Sequence, residues 1–193
     1  MSKKISLVFM LGVCLSLCGF TFKDEPLNKV ININKRYIDI RDLLEQLSRK
    51  AQISLLVSSR VKGNIDEIKG ITVQEILDKT LVPRGYSWKF FEGCLYVGEP
   101  ANLKSLWDRL KIPILPKAVH GTCLSADFKN ADLPTLARIV KKYAGIEIRV
   151  DDDVSGSMIV MIDNMPWERL LLGLIHLNGL KIIESEFSVI LTP

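Results

Sequence analysis

The chain carries one pattern twice, about ninety residues apart, and a sequence that repeats itself is built from copies of one supersecondary plan. The clearer copy runs from Val150 to Leu180, VDDDVSGSMIVMIDNMPWERLLLGLIHLNGL, and the weaker from Val57 to Tyr86, VSSRVKGNIDEIKGITVQEILDKTLVPRGY. Val57, Val61 and Gly63 return as Val150, Val154 and Gly156. After the spacing lengthens by one residue, Val73, Ile76, Leu77, Gly85 and Val97 return as Trp167, Leu170, Leu171, Gly179 and Leu191. Upstream, Ile40, Leu43, Leu44, Leu47 and Ala51 return as Leu133, Leu136, Ala137, Val140 and Ala144.

The spacing within each copy assigns the elements. Ile40 to Ala51 places its apolar residues on one helical stripe, with Asp39 as cap. Thr72 followed by Glu75 is a capping-box pattern for a second helix, which Pro83 prevents from continuing. Tyr86, Trp88 and Phe90 alternate as in a strand, and Glu92-Gly93 reads as the turn of a hairpin into Leu95, Tyr96 and Val97. Val30, Ile31 and Ile33 supply a first strand. The expected fold is therefore α+β, with two tandem βαββαββ units at residues 28–98 and 123–193, each packing two helices on small sheets. The linker 99–122 contains Leu103, Leu106, Trp107 and Leu110 at helical spacing, which predicts a short amphipathic helix over 102–111. That helix docks either within the chain or on a partner.

At 193 residues and 48% apolar, the chain is long enough for two small cores. Its first residues, MSKKISLVFMLGVCLSLCGF, place Lys3 and Lys4 before an apolar run ending in small residues, the form of an export signal over 1–19 cleaved near 18–20, or of a retained anchor. A lipid on Cys18 is disfavoured because Leu17, not a small residue, precedes it. The formal charge of +4 loses two units with Lys3 and Lys4, so the exported part is nearly balanced and nothing in its charge attracts nucleic acid. Membrane association is expected only through that leading segment. An oxidising compartment would permit a disulfide between Cys94 and Cys123, the alternative being two small buried residues.

Reactive constellations are sparse. Asp151, Asp152 and Asp153 are consecutive at a strand end, so they point in different directions, and the first copy has Ser58, Ser59 and Arg60 there. His120 and His176 have no second ligand at a spacing typical of zinc. No glycine-rich phosphate loop follows a strand. We expect no catalytic, cofactor or metal site. Trp167 is expected in the core. The edge-strand candidates for partner binding are Val30, Ile31 and Ile33, together with Leu124 and Phe128, and Trp107 is the candidate on the linker helix.

In the second copy, Asp132-Leu133, Ile146 to Gly156, Asn164-Met165-Pro166-Trp167 and Gly179-Leu180 resemble the short N-terminal domain of secretins and TonB-dependent receptors, most closely its secretin form. In the first, Val61-Lys62-Gly63, Gly70 to Leu77 and Arg84-Gly85-Tyr86 resemble the receptor form of that domain. The resemblance implies a periplasmic protein-interaction module, a component or accessory of a secretin-type system such as type II secretion or type IV pilus biogenesis. Its partners would be envelope proteins of that machine, and secretin-like homo-oligomers would follow. Two other readings stay open: a signalling module contacting a sigma regulator, and a periplasmic enzyme with its site between the units.

Overall fold

The computed structural model describes residues 26–33, 36–68, 72–110, 122–145, 147–185 and 188–193. The predicted signal segment 1–19 and most of the segment joining the linker helix to the second copy lie outside them. The fold is α+β. In the first half, β1 (Arg36–Asp39), α1 (Ile40–Ala51), β2 (Ser54–Val57), β3 (Asn64–Glu67), α2 (Val73–Leu81), β4 (Ser87–Phe91) and β5 (Cys94–Gly98) follow in order. Then come α3 (Pro100–Leu110) and the second half: β6 (Cys123–Asp132), α4 (Leu133–Ala144), β7 (Glu147–Val150), β8 (Ser157–Pro166), α5 (Trp167–Leu177), β9 (Lys181–Ser185) and β10 (Ser188–Thr192).

Local chemistry sets the helix starts. The Asp39 carboxylate accepts the Arg41 N–H at 2.7 Å, Thr72 accepts Glu75 N–H at 3.2 Å and Asp132 accepts Thr135 N–H at 2.8 Å, each satisfying an amide without an intrahelical partner. Gly63 and Gly156 occupy matching turns at φ 128° and 115°, a region side chains rarely enter.

Pairing follows one plan in both halves. β1 and β3 form an antiparallel ribbon, as do β6 and β8. β2 runs parallel to β5, which pairs antiparallel with β4, and β7, β10 and β9 repeat this arrangement. What the repeat does not predict is the joint. β2 also pairs antiparallel with β8, Leu55 opposite Met161 and Val57 opposite Ile159, so a five-stranded sheet in the order β4-β5-β2-β8-β6 spans both halves.

The cores interlock accordingly. Leu55, Val57, Leu95 and Val97 face α1 and α2, and Ile159 and Met161 of β8 join them. Leu56, Cys94 and Tyr96, on the other face of the same strands, belong to the core of the second half, with Leu172 and Leu174 of α5. Leu103 and Leu106 of α3 join that core too, so the linker helix docks within the chain.

Asn178, 4% exposed, anchors the joint at the end of α5. Its side chain accepts the Ser59 N–H at 3.0 Å and donates to Leu174 O at 2.8 Å, tying the second helix of one half to the turn of the other. Asn178→Ala is expected to cost about 1–2 kcal/mol, because it strands the half-buried Ser59 amide, and a urea titration measures it.

Two expectations are corrected. Residues 31–33 form no strand, and Val30 makes only an isolated bridge to Thr72; the first strand is Arg36–Asp39. The carbonyls of Lys29 and Leu27 instead accept the free amides of Val73 and Gln74 at the start of α2, at 3.1 and 3.0 Å, which draws this segment away from a ladder. Cys94 and Cys123 are both free, the first buried in β5 and the second exposed in β6. Two strands stand between β5 and β6, a separation of about 14 Å at the usual strand spacing, beyond the reach of a disulfide.

Candidate interaction surfaces

Charged groups from both halves meet at the joint. Glu45 on α1 receives Lys129 of β6 at 2.8 Å and Arg49 at 3.0 Å, and Arg49 reaches on to Asp127 at 2.9 Å. Arg41 donates to Ser58 O at 3.4 Å and Ser157 O at 3.1 Å, one carbonyl from each half. Burial is the largest single influence on the Glu45 carboxyl and pushes it upward. Hydrogen bonds and charges from Lys129 and Arg49 together outweigh burial and hold it below the usual carboxylate range. A carboxyl held down when folded contributes stability above its unfolded pKa, about 4.3, and loses it as the pH falls through the folded value. Glu45→Gln is therefore expected to flatten the fall of melting temperature as the pH drops below about 4.3, measured against the parent chain.

A groove of about 490 Å³ runs along this joint, lined by Arg49, Gln52, Glu92, Asp127, Met161 and Asp163 among others. Among the described residues no histidine or cysteine lines it, and Arg49 and Asp127 pair with each other. Arg169 pairs with Glu92 nearby and stacks its guanidinium 5.3 Å from the Phe91 ring. Burial raises the Cys94 thiol to about 12 and raises the Tyr96 hydroxyl as well, so both stay protonated. His176 is half-buried with Nδ1 2.9 Å from Ser105 Oγ, and burial, then Arg109, lowers its pKa. Among the described residues no three His, Cys, Asp or Glu side chains gather where a metal ion would be held, and Asp151, Asp152 and Asp153 lie exposed. Likewise, no described helix is long and apolar enough to cross a membrane.

The structure scatters the residues proposed for partner binding. Val30 is 69% exposed, whereas Ile31 is buried at 5% and Ile33 is half-buried. Leu124 and Phe128 lie on β6, an outer strand of the five-stranded sheet that pairs with β8 and with no other described strand. Leu124 points into the core and Phe128 is 37% exposed. Register shifts on both sides of Ala126–Phe128 interrupt the ladder, a device that blunts an edge. Trp107, half-buried on α3, meets Phe91 edge-on at 5.7 Å and has the Lys89 ammonium 5.4 Å from its ring. With Trp88 and Phe90 it lines a second groove beside β4, the sheet's other outer strand. The sequence does not mark β4 or β7 as an edge. Their positions depend on which strands the joint consumes.

No protein-family model matches the chain. A stretch of 56 residues is 34% identical to the type IV pilus biogenesis and competence protein PilQ of Neisseria gonorrhoeae, covering 29% of this chain and 8% of that protein. The PilQ protein of Neisseria meningitidis serogroup A is 32% identical over 56 residues, again 29% of this chain and 7% of the relative. The chain thus matches under a tenth of the length of these curated relatives.

Proposed function

We propose that this chain is a periplasmic docking component of a secretin-type envelope machine of the type IV pilus class, working without catalysis. The observation that carries the reading is the similarity over 56 residues to a protein named for type IV pilus biogenesis. The resemblance of the second copy to the secretin form of the short N-terminal domain supports the same reading. So do the outward-facing features of the fold, which are sheet edges and an aromatic corner. An edge strand recognises another chain through its backbone, and adjoining side chains add selectivity. In this reading the partners are envelope proteins of the machine, and the exposed Phe128 side chain and the Trp107 corner are the surfaces they meet.

Photo-crosslinking in the envelope of the producing cell, with the reactive group at position 128 or 107, tests this. Recovery of a secretin or pilus-assembly protein in the adduct supports the proposal. An adduct with a membrane-bound sigma regulator transfers the chain to receptor signalling. Turnover of a small molecule by a protein that crosslinks to no envelope component refutes docking as its role.

A further inference from the structure

The most informative open edge is β7. It pairs with β10 on one side and with no described strand on the other. Its counterpart β2 holds the same position beside β5 and gives its other edge to β8. This fold therefore already accommodates an antiparallel strand at that edge, next to the preceding helix.

Backbone direction limits how such a strand can pair. The Asp151 N–H donates to Leu191 O at 3.0 Å, and peptide groups alternate along a strand. Glu147 and Arg149 therefore address β10, while Ile148 and Val150 turn their amides and carbonyls outward. The first half obeys the same rule: Ser58 N–H donates to Val97 O at 3.0 Å, and Leu55 and Val57 sit in the ladder with β8.

Side-chain charge then selects the partner. Ile148 points into the core, so Glu147 and Arg149 share the opposite face, their side chains 40% and 70% exposed, with Glu147 also held by Lys141 of its own chain at 2.7 Å. The order Glu-Ile-Arg is its own charge complement when reversed. With two β7 strands antiparallel and Ile148 opposite Ile148, each Glu147 faces the Arg149 of the other copy. Ile148 forms the hydrogen-bonded pair, and the charged pairs fall at flanking non-hydrogen-bonded positions, where side chains approach more closely. Beyond the strand, Asp151, Asp152 and Asp153 run toward the other copy's last turn of α4, which carries Lys142 next to Lys141, the latter already paired with Glu147 of its own chain at 2.7 Å. The acidic run exists only in the half whose edge is open. At the occupied edge Ser58, Ser59 and Arg60 stand instead.

We infer that two copies of this chain associate about a two-fold axis through β7, joining their three-stranded sheets into one of six strands. A head-to-tail contact copying the internal joint is disfavoured. It would place Lys79 of α2 where Gly173 lets α5 approach, burying a charge opposite Arg149.

Sedimentation equilibrium on the purified full chain tests the two-fold contact without any pilus component, so its outcome is independent of the proposed function. The parent chain is expected to be a dimer that weakens as salt is raised. Arg149→Glu turns both cross-strand attractions into repulsions and is expected to raise the dissociation constant about tenfold or more. The double reversal Glu147→Arg, Arg149→Glu recreates the complement and should return it to within about threefold of the parent. A monomer at every concentration, a dimer indifferent to Arg149→Glu, or a double variant with unchanged circular dichroism that stays as weak as the single one would overturn the inference.

Discussion

Trp167→Ala is expected to remove about 3–5 kcal/mol of stability, the scale for emptying a buried aromatic site. Domains of this size hold roughly 5–15 kcal/mol in total, so the urea midpoint should fall by a large fraction. Trp167 is fully buried as the first residue of α5, the place that Val73 fills at the start of α2. The ring thus occupies space its counterpart does not have. One detail separates ring volume from polarity. The indole Nε1 finds no hydrogen-bond partner among the described residues, and an unsatisfied buried donor costs about 1–3 kcal/mol. Trp167→Phe removes that orphan donor while losing part of the ring, so the two effects oppose and the net cost should be about 1 kcal/mol. If both substitutions cost the same, the ring's volume is not what stabilises the second half.

Much of this architecture is legible in the sequence because it is local. The stripe from Ile40 to Ala51 and its repeat from Leu133 to Ala144 become α1 and α4, and the Glu92-Gly93 turn joins β4 to β5. The helix predicted over 102–111 runs Pro100–Leu110. Val30 to Ile33 misleads because β-branched residues suit a strand, whereas the neighbouring carbonyls of Leu27 and Lys29 are drawn to the open amides of α2.

The joint has a subtler signature, a difference between copies. Met158 to Ile162 is an unbroken buried apolar run, which marks a strand covered on both faces, while its counterpart β3 buries only Ile65. Leu56 is apolar where β7 has Arg149, and Ile159 stands where β3 has Asp66. On the helices, Leu172 and Gly173 replace Asp78 and Lys79. A repeat reveals the shared fold through what its copies keep and the contact between them through what they change. The partner surfaces have no such internal reference. An exposed Phe128 or half-buried Trp107 looks much the same in sequence as a core aromatic.

Gly173→Leu tests the joint most directly. A Cβ at Gly173 would lie 2.8 Å from Leu56 Cδ1, so the bare helix face lets α5 lie against β2. Alanine is a balanced case. It gains about 1 kcal/mol of helix propensity over glycine and spends a comparable amount displacing the Leu56 methyl, so Gly173→Ala should be near neutral. Leucine gains no more propensity but forces a whole side chain into a closed contact, with an expected net loss of about 3 kcal/mol. The loss should fall between the halves, because Leu56 sits in the core of the second half while Leu55 and Val57 sit in that of the first. The parent, with one sheet crossing both halves, is expected to unfold in a single transition, and Gly173→Leu to split it in two by calorimetry. Leu56→Ala in the Gly173→Leu background opens room for the new side chain, so the two changes should couple favourably by about 1 kcal/mol or more. Strict additivity would mean that α5 and β2 do not press on each other, and the shared core would then contribute little to holding the halves together.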